Sequence, residues 1–541
     1  MDTEPLSTRI DACAAERFGI RYLFPWQRIV ITGLVESLSA DAASDGDADP
    51  DGADDAEHRG RQIVVLPTGA GKSLCFQLPA AMCGGTTLIV YPLLGLMNDQ
   101  ERRMRDAGFR VAQLRGGQTP EERRRILSRL RDGDVDILLT NPETIAGERV
   151  RSELRSTPPV HAVIDEAHCI SEWGDTFRPA YLTLGESLAA IGIPRRTAFT
   201  ATASDHVVRR IREVLFDNDS AHLVRGNPDR PNIRYSVVPA VSVSHALRCA
   251  LCPSGSDRVL HEESPWEPGV PLPRPAIVFC RTRRETERIA ADLARSASVT
   301  TYAYHAGLPA PQRRTVEEQF FAADDAVLAA TCAYGMGVDK TNVRAVVHTY
   351  LPTTAEAFLQ ESGRAGRDGQ PAWSVLLLTP AAQARSLPAR PDAALTPVET
   401  MAFGTRCRRA AMLSYFGEED APCTGCDRCT TGEASDPPHS AATALFLEVI
   451  ATDRVRRGGA EWARILTGRH THRERLRGAA GHPAAAALAA WTPAEIEDAL
   501  DSLVETAVLR TVRRGLSLPP TSERDRTERH LPFRRSRTAP R

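Results

Sequence analysis

Ten short apolar runs, set apart by helix-length stretches, limit the folds open to this 541-residue chain more than any other feature. The first five are Ile63–Leu66, Thr87–Tyr91, Asp136–Leu139, Ala162–Ile164 and Thr197–Thr200. The second five are Ala276–Phe279, Thr300–Tyr304, Val327–Ala330, Ala345–His348 and Val375–Leu378. A strand that is apolar without alternation has both faces covered, and strands separated by helices form parallel sheets with crossover connections. The pattern predicts an α/β protein with two tandem lobes, 1–225 and 226–385, each on its own parallel sheet. After Pro391 the rhythm gives way to helical, cysteine-bearing sequence (a module at 386–435), then to helical, basic sequence at 436–516.

Composition mainly excludes. Hydrophobic residues are 42% and charged residues 25%, the balance of a soluble globular chain. No apolar run approaches the ~18 residues a membrane span needs, and Met1–Ile10 has no signal architecture. The expectation is a cytoplasmic protein with no membrane contact. Twelve cysteines scattered along the chain fit a reducing compartment, most of them (Cys75, Cys169, Cys332) as small buried hydrophobes. The net charge of −2 names no protein partner, and a monomer is the simplest expectation. Charge is nevertheless local. Asp41–Gly60 holds eight carboxylates against one arginine, a disordered acidic insertion by composition. Pro253–Pro275 reads as a proline-rich loop, and 517–541 as a disordered basic tail; from Ser440 on, 18 arginines face 12 acids. Of 67 basic residues only Lys72 and Lys340 are lysine.

The first lysine lies in Pro67-Thr68-Gly69-Ala70-Gly71-Lys72-Ser73, between an apolar run and an apolar helical stretch. Glycines let backbone N–H groups of Thr68, Gly69, Ala70 and Gly71 close on phosphate oxygens at a helix N-terminus. Lys72 would reach the β- and γ-phosphates and Ser73 a Mg²⁺. Leu66 stands where the strict pattern wants glycine, and a glycine turn that binds nothing is the alternative. Asp165-Glu166-Ala167-His168 ends another run, where a parallel strand tip presents Asp165 to Mg²⁺ and Glu166 to an attacking water. His168 could couple this site to the second lobe.

These motifs resemble the RecQ family of superfamily 2 DNA helicases, whose marks here include the DEAH box and Cys169-Ile170-Ser171-Glu172-Trp173-Gly174-Asp175-Thr176-Phe177-Arg178-Pro179. Met97-Asn98-Asp99-Gln100, Thr140-Asn141-Pro142-Glu143, Thr200-Ala201-Thr202-Ala203, Gly335-Met336-Gly337-Val338-Asp339-Lys340 and Gln360–Gly369 continue it in order, over about 15–515. The resemblance implies two RecA-like lobes, a helical zinc-binding module and a reduced winged-helix domain. It implies ATP, Mg²⁺ and Zn²⁺ as cofactors, single-stranded and forked DNA as partners, and 3′-to-5′ movement coupled to duplex unwinding. Arg364 and Arg367, three apart and on one face if helical, would meet the γ-phosphate from the second lobe. Gly337 and Asp339 would add nucleotide contacts, and Gln27 would read the adenine edge. The family's aromatic and arginine near that pocket are here Ile20 and Phe24, which leaves Tyr22, Phe24 or Trp26 to stack.

The aromatic-rich loop offers Trp173, Phe177 and Arg178 to single-stranded DNA, and base stacking is worth ~1–3 kcal/mol per base. The same aromatics could instead be core. Where the family has His-Asp, this chain has Asp175-Thr176, which weakens coupling of DNA to hydrolysis. Asn98, Gln100, Thr140 and Arg281 would touch the DNA backbone, and Lys340 would meet a phosphate, an interlobe carboxylate or only water. Cys407 with Cys423, Cys426 and Cys429 fits a closed four-thiolate site. Four cysteines also suit an iron–sulfur cluster, and the resemblance selects zinc. Further on, Arg469, Arg473 and Arg475 would grip duplex phosphates from the winged helix. Two rivals remain: a DNA translocase that separates no strands, and an ATP-gated DNA-binding scaffold.

Overall fold

The computed structural model describes residues 4–40, 60–67, 69–173, 178–219, 221–251, 271–297, 299–332, 340–380, 395–418, 422–431, 441–453, 457–476, 479–506, 508–512 and 515–518. The acidic insertion to 59, residues 252–270 of the proline-rich loop and the tail from 519 lie outside the described residues. So do Thr68, Asp175, Thr176, Phe177, Gly337, Asp339 and the side chains of Trp173 and Arg473. The chain divides into two compact units, Met1–Asp229 and Arg230–Arg541.

The first unit holds an all-parallel sheet of β1 (Arg61–Val65), β2 (Thr87–Val90), β3 (Val111–Gln113), β4 (Ile137–Thr140), β5 (His161–Ile164), β6 (Arg196–Thr200) and β7 (His222–Arg225). Their order is β3-β4-β2-β5-β6-β1-β7. Every residue of β2, β4 and β5 is buried, because helices cover both faces. Even His161 is in the core, bonded to Thr197 Oγ1 at 2.9 Å. Burial, with help from Arg195, drives its pKa down to about 3, so it is a neutral core side chain.

The second unit begins with a six-stranded parallel sheet: β8 (Ile233–Pro239), β9 (Ala276–Phe279), β10 (Thr300–Tyr304), β11 (Ala326–Ala330), β12 (Ala345–His348) and β13 (Ala372–Leu378). The order is β10-β11-β9-β12-β13-β8. β8 is an edge, and residues of 395–418 and 422–431 lap it. Tyr235 bridges to Cys426, Tyr235 N donates to Gly425 O at 3.3 Å, and Thr424 Oγ1 donates to Pro231 O at 2.7 Å. Arg409, fully buried, rivets the two together by donating to Arg230 O (3.1 Å) and Ile233 O (2.5 Å). An open strand edge is thereby covered.

The chain ends in helices Ala441–Thr452, Gly459–Thr467, His472–Leu476 and Pro493–Glu505, followed by the antiparallel hairpin β14 (Arg510–Val512) and β15 (Gly515–Ser517). Leu516 N donates to Arg457 O at 2.9 Å, so a third segment joins the hairpin. Helices followed by a short hairpin are the order expected of this region. Its own core gathers Phe446, Trp462, Trp491, Ile496 and Leu500. Among the described residues no helix is long and apolar enough to cross a membrane. Cys75 and Cys169 are buried as expected, whereas Cys332 is exposed.

Candidate nucleotide site, cysteine cluster and nucleic-acid contacts

β5, β6 and β1 are neighbours, and the two motif loops leave the sheet at their carboxyl ends. Leu66, the residue out of pattern, is fully buried and extends β1 by one rung, its N–H bonding Thr200 O at 3.0 Å. The loop then turns through Gly69 (φ 87°) and Gly71 (φ 74°), both left-handed, and Gly71 caps the helix Lys72–Met82. Lys72 Nζ folds over the loop and donates to Leu66 O at 3.1 Å. Ser73 is half-buried in the first turn of that helix.

Gln27, expected to read a base edge, is buried and braces this loop. Its Oε1 accepts from Phe24 N at 3.0 Å, while its Nε2 donates to Ala70 O at 3.2 Å and Gly71 O at 3.5 Å. Donor and acceptor types permit only this orientation of the amide. Phe24 stacks on Trp26 with centroids 4.8 Å apart, and Tyr22 and Phe24 remain exposed beside the brace.

Asp165 leaves β5 with its N–H on Val90 O at 3.1 Å, and its Oδ1 accepts from Glu166 N at 3.0 Å. Burial and the adjacent Glu166 charge hold the Asp165 carboxyl above its usual range, with Lys72 opposing them. Glu166 adopts φ 52°, a conformation disfavoured for a side chain, and its Oε2 is buried with no hydrogen-bond partner. His168 Nδ1 lies 3.1 Å from Thr200 Oγ1 and 3.4 Å from Glu166 Oε2. Because the Thr200 hydroxyl donates to Thr202 O (3.0 Å), it must accept from His168, which places a proton on Nδ1. Burial disfavours charge on His168, yet its neighbours raise its pKa. Burial also pushes the Cys169 thiol up and keeps it neutral, so the charges that act are Glu166 and Glu172. Thr200 and its hydroxyl relay were not assigned a role from sequence; only the repeated Thr-Ala pattern marked the spot.

Several expected nucleic-acid contacts are placed differently. Thr140 is fully buried at the end of β4 and presents nothing to a strand of DNA, because the middle of a parallel sheet is covered on both faces. Arg178 forks onto Glu143 (2.7 and 2.6 Å) and also donates to Pro92 O; a guanidinium matches a carboxylate bidentately, and this one is spent there. Burial opposes ionisation of Glu143, but Arg178 holds its carboxyl below the ordinary range. Asn98 is exposed with Oδ1 accepting from Gln113 Nε2 at 3.1 Å, Gln100 is half-buried, and Arg281, Arg469 and Arg475 are exposed. Lys340 is neither solvated nor aimed outward: it is buried, and its Nζ donates to Phe321 O at 2.9 Å.

Arg364 and Arg367 do not share a helix face. The helix Ala355–Ser362 stops before them, and the following turn is pinned by Arg230 (Nη2 to Gly366 O, 2.7 Å) and Asn232 (Nδ2 to Gly366 O, 2.8 Å). Arg364 is buried and Arg367 half-buried. In the same unit, the sulfurs of Cys407, Cys423, Cys426 and Cys429 lie within 4.8 Å of one another, with Cys407 and Cys426 3.9 Å apart. A tetrahedron with Zn–S bonds of ~2.3 Å has edges of ~3.8 Å. The donor set and its spacing fit a closed zinc site with no position left for water.

A phosphate loop and an acidic strand tip on one parallel sheet, followed in the chain by a second such sheet, define a phosphate-loop protein with two parallel-sheet lobes. Sequence comparison narrows the class. The chain matches the DEAD/DEAH box helicase family over residues 54–211, the helicase conserved C-terminal domain over 272–369 and the RecQ zinc-binding family over 390–430. It is 36% identical over 389 residues to the ATP-dependent DNA helicase RecQ of Pasteurella multocida, covering 70% of this chain and 58% of that protein. To the probable ATP-dependent DNA helicase RecS of Bacillus subtilis it is 39% identical over 321 residues, 59% of this chain and 61% of that one. The crystal structure of the helicase MrfA bound to DNA shares the fold alone, with TM-score 0.50 and 16% identity over 96% of this chain and 63% of that chain. The chain is similar to RecQ helicases, carries the RecQ zinc-binding match, and spans about three fifths of the length of the curated relatives it matches.

Proposed function

We propose that the chain is an ATP-dependent DNA helicase of RecQ type, which hydrolyses ATP to move 3′-to-5′ along single-stranded DNA and unwind forked duplexes. The observation that carries this reading is the meeting of Lys72, Asp165, Glu166 and His168 at adjoining strand tips of one sheet. Backbone N–H groups of residues 68–71 and the Lys72 ammonium hold the phosphates. Ser73 and Asp165 would hold Mg²⁺, which would offset phosphate charge. Glu166 orients water and takes its proton, and Thr200 holds the His168 ring by its Nδ1. Arg364 and Arg367 of the second unit, with Gly337 and Asp339, serve the transferred phosphate.

Tyr22, Phe24 or Trp26 stacks the base. On the DNA side, Asn98, Gln100 and Arg281 meet the backbone, Trp173 and Phe177 stack bases, and Arg469, Arg473 and Arg475 hold duplex phosphates. Phosphate release measured with single-stranded, double-stranded and forked DNA tests the motor, and displacement of a 3′-tailed duplex tests unwinding. Lys72→Ala should abolish both; turnover at the unmutated rate in that variant overturns the phosphate assignment. Asp175-Thr176, in place of the family's His-Asp, favours a second reading, a translocase without strand separation. DNA-stimulated hydrolysis with no displacement would select it.

A further inference from the structure

The seam between the second sheet's helices and the C-terminal domain is closed by buried charge that the proposed chemistry does not use. Arg248, on the helix Val243–Leu251, meets Glu495, in the first turn of Pro493–Glu505, with Nε to Oε1 at 2.7 Å and Nη2 to Oε2 at 3.3 Å. Both residues are buried, and Arg248 Nη2 also donates to Ala490 O at 3.0 Å. His245, one turn back, stacks flat on Trp491 with centroids 3.6 Å apart. Ser242 Oγ donates to Asp498 Oδ2 at 2.8 Å.

Glu495 is used twice. It closes the capping box of its own helix with Thr492 and receives the Arg248 fork. Burying an ion pair is a poor way to gain stability, since an apolar pair of the same volume docks as firmly. What a planar fork on a fixed carboxylate supplies is one orientation out of many. The helix Pro493–Glu505 carries five carboxylates and no basic residue, and two of them, Glu495 and Asp498, meet lobe 2.

We infer that Arg248 and Glu495 form a latch that makes the C-terminal domain ride on lobe 2 as one body, so that each ATP-driven movement of lobe 2 is delivered to the duplex. They are positioning residues for unwinding, and this role rests on the helicase reading. The test uses the full chain with three variants: Arg248→Met, Glu495→Gln, and the two combined, which leaves no lone buried charge. Glutamine keeps the capping box. Two quantities are read, base pairs unwound per ATP and amide exchange in Val243–Leu251 and Pro493–Glu505.

Exchange in the two helices should rise about tenfold while the first unit is unchanged. Base pairs unwound per ATP should fall about fivefold or more. DNA-stimulated hydrolysis itself should stay within about twofold. An unchanged ratio in a variant whose seam exchanges faster overturns the coupling, and unchanged exchange in the combined variant overturns the latch. If the unmutated chain neither hydrolyses ATP nor unwinds, the helicase reading fails with the coupling built on it, and exchange still decides the latch.

Discussion

Substituting either glycine of the phosphate loop by alanine should have unequal consequences, and the inequality comes from Gln27. Both Gly69 and Gly71 have left-handed φ, where an L side chain costs ~1–2 kcal/mol. A Cβ on Gly69 would meet nothing within 4 Å, so Gly69→Ala carries that cost alone. A Cβ on Gly71 would fall 2.4 Å from Gln27 Nε2, which must move. Moving it breaks the amide's bonds to Ala70 O and Gly71 O, each worth ~1 kcal/mol net. Gly71→Ala therefore costs ~3–4 kcal/mol. The loop relaxes out of its phosphate-ready shape, and nucleotide binding must restore it. At ~1.4 kcal/mol per decade, affinity falls about a hundredfold or more for Gly71→Ala, against about tenfold for Gly69→Ala.

Titration with a fluorescent ATP analogue reads both numbers. The control is Gly71→Ala in a Gln27→Ala background, where the clash is gone and the cost should shrink to that of Gly69→Ala. Equal losses for the two glycines in the unmutated background would refute the brace. So would a Gly71→Ala penalty that persists without Gln27.

Three further outcomes follow from the geometry. Metal analysis should find one zinc per chain, and Cys426→Ser should lose it and lower the melting temperature, because the module covers β8; a metal-free chain of full stability counts against the site. Burial disfavours ionised Glu495, but hydrogen bonds from His245 and Arg248 prevail and lower its pKa to about 2. A depressed carboxylate stabilises the fold above its unfolded pKa and loses that contribution as pH falls. The advantage of the unmutated chain over Glu495→Gln in denaturant should thus be ~2–3 kcal/mol at pH ~7 and shrink toward pH ~3; a constant difference refutes it. Thr140→Val removes a buried hydroxyl that has no partner, so stability should hold or rise by ~1 kcal/mol with DNA affinity unchanged. A loss of DNA affinity would return that hydroxyl to the DNA track.

All ten apolar runs are strands, and the three parallel strands that escaped notice, β3, β7 and β8, are all sheet edges. An interior strand needs apolar residues on both faces and so writes a continuous run. An edge strand tolerates His222 and Arg225, or Arg234 and Ser236, and its sequence looks like loop. β10 is an edge as well, yet β-branched and aromatic residues betray it. The phosphate loop was legible because its chemistry is local, within seven residues. The intramolecular partners of Arg178 and Gln27 were not legible, because they lie 35 and 43 residues away in sequence. No spacing rule reports that a side chain is already spent.

The two lysines show what composition could and could not say. In a chain that uses arginine 65 times, Lys72 and Lys340 do the same local thing. Each places one ammonium on one backbone carbonyl in a confined place, Leu66 O at 3.1 Å and Phe321 O at 2.9 Å. A five-donor fork there would leave buried N–H groups without acceptors, whereas a compact ammonium fits. Lys340 has the rings of Phe320 and Phe321 within 5.6 and 5.9 Å, and burial lowers its pKa against the pull of Asp324. Rarity marked both residues as constrained. Only the structure separates them: Lys72 lies on the glycine loop beside Asp165, while Lys340 secures the end of the helix Ala310–Ala322.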